Sequence, residues 1–254
     1  MDFTVVIPAR YDSSRLPGKP LMDIAGMTMI QRVYVQAKKS NATQVVVATD
    51  DQRIFDHVES FDGQVCMTSE YHQSGTDRLQ EVTKKLGLPE DHIVVNVQGD
   101  EPLMPPEVID QVANNLSVNL LAGVATLCEP INNKCDFNSP HVVKVVADQN
   151  SLAMFFSRAP IPYRRDEVAY DTDIANASFK SMRHVGIYAY RVSMLNQFVC
   201  WPVAPIEKVE LLEQLRFLWN GEKIHVDQSV KHVPGGIDTQ EDLEYAVRFL
   251  EKLS

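Results

Sequence analysis

Apolar and polar residues alternate along the chain in two patterns. Short valine-rich runs with few charges recur, and such runs are typical of strands buried on both faces of a parallel sheet. Between them, apolar residues return every three or four positions, as they do on one face of a helix. The predicted strands cover residues 3–7, 44–48, 64–67, 93–97, 124–127, 142–146 and 185–190, and the predicted helices cover 29–39, 53–60, 77–86 and 106–116. The sequence therefore predicts an α/β fold, a mostly parallel sheet with flanking helices.

The alternation becomes less regular after residue 146. Residues 151–180 contain prolines and a charged, tyrosine-bearing stretch at 163–167, so we expect a long excursion from the sheet, suited to a lid or a subunit contact. Two further helices are predicted over residues 205–219 and 239–253. We predict one domain over residues 1–254, with 151–180 as an inserted arm. The helix at 205–219 has an apolar stripe formed by Ile206, Val209, Leu212, Leu215 and Trp219.

The composition narrows the class of protein. The formal net charge of −10 argues against a nucleic-acid partner. No basic-then-apolar segment precedes the first predicted strand and no apolar run reaches about eighteen residues, so we expect neither a signal peptide nor a membrane span. The scattered cysteines form no C-x-x-C pair, which favours free thiols in a cytoplasmic protein. A zinc site from Cys128, Cys135 and His141 is conceivable, but their spacing fits no established zinc pattern.

The loop after the first predicted strand is rich in cations although the whole chain is acidic. Arg10, Arg15 and Lys19 stand within ten residues, and prolines and a glycine stiffen the loop. Open α/β sheets bind ligands beyond the carboxyl ends of their strands, and Arg and Lys are common phosphate ligands. A polyphosphate site is therefore favoured over an ordinary solvated loop, although no G-x-x-x-x-G-K-[ST] motif is present.

Two acidic motifs allow both a structural and a chemical interpretation. Asp100 follows the predicted strand at 93–97, in a Gly-Asp pair that is also common in turns. Asp238 precedes the last predicted helix, where it could be the N-cap, with Glu241 completing a capping box. The chemical alternative is that the carboxylates face the phosphate loop, because carboxylate and phosphate oxygens together usually hold Mg²⁺. Taken singly, each motif favours the structural interpretation.

Two further groups of polar residues are candidates for ligand binding. Ser74, Gly75 and Arg78 stand at the start of a predicted helix, whose amides and guanidinium could bind a flat polar base; the alternative is a helix entry with a Thr cap. The second group would suit a hydroxyl-rich acidic sugar, with Arg158 or His184 on its carboxylate. It comprises Arg158, His184, Tyr188, Glu213 and Gln214, in which His184 and Tyr188 are expected on one face of a strand and Glu213 and Gln214 on the helix at 205–219.

Nine motifs in register carry a family resemblance that covers nearly the whole chain. They are IPARYDSSRLPGKPL at 7–21, VATD at 47–50, HQSGTDRL at 72–79, VNVQGDEP at 95–102, FSRA at 156–159, RHVGIYAYR at 183–191, LEQLR at 212–216, GEKIHV at 221–226 and IDTQEDLE at 237–244. In this order they resemble the bacterial CMP-Kdo synthetases, or 3-deoxy-manno-octulosonate cytidylyltransferases. The resemblance implies a Rossmann-like, three-layer nucleotidyltransferase fold, usually a homodimer. It also implies a Mg²⁺-dependent reaction, in which CTP and an eight-carbon 2-keto-3-deoxy sugar acid give the CMP-sugar and pyrophosphate for lipopolysaccharide synthesis.

The resemblance also assigns roles to individual residues. The anomeric hydroxyl of the sugar would attack the α-phosphorus of CTP in line, without a covalent enzyme intermediate, so the work falls on positioning and charge stabilisation. Arg15, Lys19, Asp100 and Asp238 are the implied catalytic residues, and the two aspartates are the implied metal ligands. The nucleotide positions are Arg10, Arg15 and Lys19 for the triphosphate and Ser74, Gly75 and Arg78 for the cytosine; the sugar positions are Gln98, Arg158, His184, Tyr188, Glu213 and Gln214.

Two departures from the family pattern leave the identity of the sugar substrate open. In the loop at 232–238, V-P-G-G-I-D is one residue shorter than the usual V-P-G-T-G-V-D, and P-Y-R-R at 162–165 replaces P-W-D-R. A branch of the family prefers the 8-amino analogue of the sugar, whose ammonium could pair with the acidic residues at 166–173. The alternatives outside this pair of sugars are a sialic-acid cytidylyltransferase and a nucleotide-binding module without turnover. A nucleotide-binding module without turnover would not explain why Asp100 and Asp238 face one metal.

Overall fold

The predicted alternation of strands and helices is confirmed by a computed structural model, which describes residues 1–11, 16–72, 74–165 and 179–251. Its strands are β1 (Phe3–Ala9), β2 (Asp23–Ile24), β3 (Met27–Thr28), β4 (Gln44–Thr49), β5 (Val65–Met67), β6 (Ile93–Asn96), β7 (Val124–Pro130), β8 (Lys144–Ala147), β9 (Ala153–Ser157), β10 (Met182–Arg191) and β11 (Ile224–Gln228). Its α-helices are α1 (Met29–Ala37), α2 (Gln52–Ser60), α3 (Gly75–Leu86), α4 (Pro106–Val118), α5 (Lys134–Asn138), α6 (Val192–Phe198), α7 (Pro205–Glu210), α8 (Leu215–Trp219) and α9 (Gln240–Glu251).

The main sheet has the strand order β11-β7-β10-β6-β1-β4-β5, with β8 beside β10 and β9 beside β8. Strand β1 pairs in parallel with both β4 and β6, and β11 pairs in parallel with β7. Strand β10 is antiparallel to β6, β7 and β8. The mostly parallel sheet predicted from the sequence is therefore a mixed one, in which β8, β9 and β10 run antiparallel to their neighbours. Its parallel part around β1 places the carboxyl ends of β1 and β6 at the same edge.

Apolar side chains cover both faces of this sheet. Alternation along β1 sends Val5 into a cluster with α1, α2 and α4, and Val6 into a cluster with α3, α6 and α8. Both valines are completely buried. A smaller cluster, which includes Ile24, Ile237 and Leu243, packs α9 against the β2–β3 hairpin. The result is the predicted three-layer arrangement, with helices on either side of one sheet.

The single helix predicted over residues 205–219 is wrong, because the chain breaks between α7 and α8. Leu211 adopts a left-handed conformation with φ 53°, which ends α7. Across the break, the Nη2 atom of Arg216 lies 2.6 Å from Oε1 of Glu207, and both side chains are buried. A continuous helix would separate these residues by about 14 Å along its axis, so their ion pair requires the break. Val209 and Trp219 of the predicted apolar stripe are accordingly exposed.

The predicted excursion over residues 151–180 begins inside the sheet, because β9 pairs with β8. Residues 166–178 lie outside the described residues, so the lid or subunit contact stays a prediction. Across the described ranges, no helix is long and apolar enough to cross a membrane. The same ranges hold no metal-binding group of three or more His, Cys, Asp or Glu side chains, so the conceivable zinc site finds no support.

Candidate active site

Two loops touch where β1 and β6 end. The two strands are in register at Val6 and Asn96, so the chain leaves both at the same edge of the sheet. Gly99 lies in the loop after β6, and a Cβ atom built there would be 2.7 Å from the carbonyl oxygen of Pro8. No side chain fits at that distance. Glycine at this position therefore lets the Asp100 loop lie directly against the cationic loop.

Lys19 joins the two acidic motifs. It begins a short 3₁₀ helix over Lys19–Leu21, after Gly18 turns the chain with φ 70°. Its Nζ atom is 2.7 Å from Oδ2 of Asp100 and 3.3 Å from Oδ1 of Asp238. The Lys19 side chain is 9% exposed, so the ammonium lies largely out of solvent between two carboxylates. The three residues come from three separate segments and meet at one point.

Asp238 is held against Asp100 by the backbone. The amide of Ile237 donates to the carbonyl oxygen of Asp100 at 2.9 Å. The capping box expected from Asp238 and Glu241 is not formed. Thr239 takes that place instead: its Oγ1 accepts from the amide of Asp242, whose Oδ2 accepts from the amides of Asp238 and Thr239 at 3.0 and 2.8 Å. The cap is thus shifted by one residue, and the Asp238 carboxylate lies beside Lys19.

A buried carboxylate anchors the loop that leads to Asp238. Glu129 on β7 accepts from the amide of Val233 at 2.7 Å, from Nη2 of Arg183 at 2.6 Å, and from Nδ1 of His232 at 3.0 Å. Burial alone would raise the pKa of Glu129, but these donors outweigh it and hold the pKa below its usual range. Glu129 thereby ties residues 232–233 to the sheet.

Glu101 is a site residue that the sequence reasoning missed. Burial, reinforced by the neighbouring Asp100 charge, raises its pKa to about 8, although Arg183 and Lys19 act in the opposite direction. Its Oε2 atom is buried and has no hydrogen-bond partner in the part of the chain that the structure describes. The signal available in the sequence was its position directly after Asp100, where a second carboxyl group would be close to the first.

The predicted base-binding residues lie at the start of α3. Ser74 is the N-cap, and it forms a capping box with Asp77. Arg78 is 1% exposed, and its guanidinium donates to Oγ1 of Thr68 and, at 2.5 Å, to Oδ2 of Asp50. The guanidinium is therefore bound within the protein and braces the helix start. Gly75 is the first residue of α3, and a Cβ built there would lie 3.8 Å from the Pro8 side chain, which is ordinary van der Waals contact.

Asp50, a second residue that the sequence reasoning missed, connects the base-binding and phosphate-binding residues. The Oδ2 atom that pairs with Arg78 is also 3.7 Å from Nε of Arg10, and Arg10 donates to the carbonyl oxygen of His72. The cationic loop and the segment before α3 are therefore tied together. Arg15 lies outside the described residues, so its predicted role stays a prediction.

A bulge in β10 brings two predicted sugar-binding residues together. His184 pairs with Cys128 and Tyr188 with Thr126, so β10 has two extra residues in this stretch. Four residues of a regular strand span about 13 Å, whereas the His184 and Tyr188 ring centroids are 5.2 Å apart. The rings are neighbours because of the bulge, which the sequence pattern did not indicate.

The His184 imidazole is neutral in this environment. Burial lowers its pKa to about 3, and the Arg183 charge acts in the same direction. Its Nε2 atom is 2.9 Å from Oγ1 of Thr126. Of the two residues proposed for the sugar carboxylate, Arg158 is therefore the one that carries a charge at neutral pH.

Three buried oxygen atoms near this bulge have no hydrogen-bond partner among the described residues. They are Oδ1 of Asn96, the hydroxyl of Tyr188 and Oε1 of Glu213. Burial raises the pKa of Glu213, although the Ser74 and Thr76 hydroxyls offset part of the effect. Buried polar groups are nearly always paired, so unpaired oxygens from three segments indicate a place for a polar ligand or water. Asn96 was not among the residues expected there.

The remaining predicted sugar residues lie on neighbouring segments. Gln98 follows β6 and accepts from the amide of Glu101 at 3.2 Å through its carbonyl group. Glu213 and Gln214 lie in the break before α8 and not on one continuous helix. Arg158 follows β9, and its Nε donates at 2.7 Å to the carbonyl oxygen of Glu210, the last residue of α7.

Comparisons with known proteins identify the family. A family model described as Cytidylyltransferase matches residues 4–224. The 3-deoxy-manno-octulosonate cytidylyltransferase of Cellvibrio japonicus is 57% identical over 252 residues, with 99% of each chain covered. That of Pseudomonas syringae pv. syringae is 55% identical over 249 residues, with 98% of each covered. The chain belongs to the 3-deoxy-manno-octulosonate cytidylyltransferase family.

Solved structures agree with membership of this family. A structure of CMP:2-keto-3-deoxy-manno-octonic acid synthetase complexed with CTP matches with a TM-score of 0.90 and 39% identity, over the whole of both chains. A 4-diphosphocytidyl-2C-methyl-D-erythritol synthase from Anaerococcus prevotii matches with a TM-score of 0.61 at 15% identity, which shows a shared fold alone. The resemblance and the nucleotidyltransferase-like fold predicted from the nine motifs are both confirmed.

Proposed function

We propose that this member of the family transfers the cytidylyl group of CTP to 3-deoxy-manno-octulosonate and releases pyrophosphate. The observation that carries the proposal is the meeting of Lys19, Asp100 and Asp238 where β1 and β6 end. Phosphoryl transfer depends on positioning and on charge stabilisation, and this edge offers a cation and two carboxylates together. The site thereby has the groups that nucleotidyl transfer requires.

The cations would act on the triphosphate. Arg10 and Lys19 stand at the two ends of the loop after β1, and Arg15 stands between them in the sequence. In the proposed reaction they bind phosphate oxygens and stabilise the negative charge that develops on the leaving pyrophosphate. Asp50 supports this arrangement, since it pairs with Arg10 while it also holds Arg78. Ser74 and Gly75 would then present the start of α3 to the cytosine.

The residues at this edge fit the predicted Mg²⁺. Mg²⁺ prefers oxygen ligands and is usually bound through one or two carboxylates together with substrate phosphates. Asp100 and Asp238 would hold it, because both carboxylates approach the same ammonium group. When bound, Mg²⁺ supplies positive charge to phosphate oxygens and lowers the pKa of a coordinated hydroxyl. The two aspartates provide the charge that selects a cation at this point.

The sugar would lie beside the β10 bulge. Arg158 would bind its carboxylate, because His184 is neutral and can offer only hydrogen bonds. The unpaired oxygens of Tyr188 and Glu213 would bind hydroxyl groups, and Gln98 and Gln214 would complete the contacts. In the proposed reaction the anomeric hydroxyl attacks the α-phosphorus in line, and the bond to pyrophosphate breaks.

A pyrophosphate-release assay tests the proposal. Purified protein is given Mg²⁺, 3-deoxy-manno-octulosonate and CTP, with UTP and ATP as competing nucleotides. We expect release with CTP, strong discrimination against ATP, and a large loss of kcat in Asp100→Asn with an unchanged circular dichroism spectrum. The exposed Asp91→Asn is the matched control. Near-normal turnover of Asp100→Asn would refute the metal assignment, and no release from the wild type would refute the function.

The choice between the 8-hydroxy and 8-amino sugars is decided by the ratio of their kcat/KM values. We propose the 8-hydroxy sugar, in line with the names of the relatives. A higher kcat/KM for the 8-amino sugar would contradict this choice but leave cytidylyl transfer intact.

We also propose that the protein is a homodimer and that it is cytoplasmic, as the resemblance implies. Light scattering from the purified protein should give the mass of two chains.

A further inference from the structure

Arg158 is held in place through almost every polar group it has. Its carbonyl oxygen accepts from Nζ of Lys144 at 2.7 Å, and its amide donates to Oε2 of Glu210 at 2.9 Å. Its Nε donates to the carbonyl oxygen of Glu210 at 2.7 Å. Its Nη1 and Nη2 atoms donate to the carbonyl oxygens of Pro140 and Leu211 at 2.9 and 3.4 Å. Such a residue cannot turn its guanidinium without breaking several of these bonds.

Lys144 holds the backbone on one side of Arg158. It is completely buried on β8, opposite Ser157 of β9. Besides the Arg158 carbonyl, its ammonium donates to the carbonyl oxygens of Ser139 and Val142 at 2.8 and 2.6 Å. A buried ammonium is costly unless it is fully hydrogen-bonded, and here three carbonyl groups satisfy its three protons. Lys144 thereby fixes the 139–142 segment, which supplies the Pro140 carbonyl, relative to Arg158.

Glu210, the last residue of α7, holds Arg158 from the side opposite Lys144. One carboxylate oxygen accepts from the Ser157 hydroxyl at 2.6 Å, and the other accepts from the Arg158 amide. The left-handed turn at Leu211 directs the next carbonyl group back toward the guanidinium. The chain then continues to Glu213 and Gln214, which are two of the predicted sugar residues. The break between α7 and α8 therefore positions a carbonyl group against Arg158 and also contains the two predicted sugar residues.

We propose that Lys144 and Glu210 are positioning residues, which fix Arg158 so that its guanidinium binds the carboxylate of the sugar acid. The inference rests on the proposed function. A guanidinium has five N–H groups, and the carbonyl contacts use one on each nitrogen. One N–H remains on Nη1 and one on Nη2, which is the number that a bidentate carboxylate contact uses. Neither Lys144 nor Glu210 needs to touch the substrate.

A double-mutant cycle tests the proposal. Glu210→Gln keeps the size of the side chain but removes its charge and one acceptor. We expect it to raise KM for the sugar acid at least tenfold while KM for CTP changes less than twofold. In an Arg158→Met background, the same substitution should change the sugar KM no further, because residues that act through one another are not additive. Glu59→Gln, exposed on α2, is the matched control.

Lys144→Met, combined with Arg158→Met, supplies a second double-mutant cycle. It still tests the inference if Glu210→Gln is poorly expressed. Equal changes in the KM values for CTP and sugar, additive effects in both cycles, or no change in the sugar KM would overturn the proposal. If the wild type turns over but the cycles are additive, only the positioning role is lost. If the wild type releases no pyrophosphate, the proposed function and this inference are both refuted.

Discussion

The Nζ atom of Lys19 lies 2.7 Å from Oδ2 of Asp100, although 81 positions separate the two residues in the chain. The same ammonium is 3.3 Å from Oδ1 of Asp238, so one cation contacts two carboxylates that come from different loops. This arrangement depends on the contact between the β1 and β6 loops and on the left-handed turn at Gly18. It makes Lys19 the residue on which the charge balance of the site depends.

Replacing Lys19 by Met should abolish most of the activity. The variant keeps an unbranched side chain that is one atom shorter, but it removes the cation proposed to stabilise the leaving pyrophosphate. We therefore expect kcat to fall by about 10² to 10³. Initial rates of pyrophosphate release at saturating CTP measure the effect. Lys38→Met, at an exposed position after α1, is the matched control and should keep wild-type rates. A Lys19→Met enzyme with normal kcat would contradict the proposed role of the ammonium.

Gly99→Ala should separate the two loops. Its Cβ would lie 2.7 Å from a backbone oxygen of Pro8, so the backbone itself must move. We expect a loss of about 1–3 kcal/mol in the free energy of unfolding, together with a fall in kcat. Urea denaturation and turnover measure the two effects. Gly186→Ala, where a Cβ would meet no described atom within 4 Å, should unfold close to the wild type. Equal stability of the two variants would argue against the close contact.

The sheet and the position of the site follow from local patterns. The Val-rich segments at β1, β4 and β6 carry few polar residues and no charges, a composition that is typical of central parallel strands. Once β1 and β6 are neighbours, the strand-end rule brings Asp100 to the cationic loop. Asp238 was harder to place, because its N-cap alternative differs from the observed Thr239 cap by a single residue.

The apolar pattern of the sequence does not contain several features of the structure. The apolar spacing over 205–219 continues through the break, and nothing in it marks Leu211 as the residue that turns to a left-handed conformation. The bulge that joins His184 to Tyr188 depends on the pairing of β10 with β7. Asp50 was overlooked because its partner Arg78 lies 28 positions further along the chain. The bulge and the Asp50–Arg78 pair both depend on partners that are far apart in the sequence, which an apolar pattern does not contain.

Glu129→Gln should loosen the Asp238 loop. The amide side chain can still accept from Val233, but it loses the charge that binds Arg183 and His232. We expect a loss of about 1–3 kcal/mol in the free energy of unfolding and a reduced kcat. Glu107→Gln is a strict control, because Glu107 binds Lys231 of the same loop at 2.7 Å but is exposed. A similar loss of stability in both variants would contradict the importance of burial at Glu129.

His184 should make the fold sensitive to acid. Its pKa is about 3 in the folded chain against 6.5 for an ordinary histidine, so between these values the unfolded chain binds a proton that the folded chain does not. The free energy of unfolding should therefore fall as the pH falls below 6.5, by about 1.4 kcal/mol per pH unit at most for this group. In His184→Gln this contribution to the slope disappears, while the exposed His141→Gln should retain it. Urea denaturation at pH 6.5, 5.5 and 4.5 measures the slopes, and parallel curves for wild type and His184→Gln would show that His184 is protonated in the folded state.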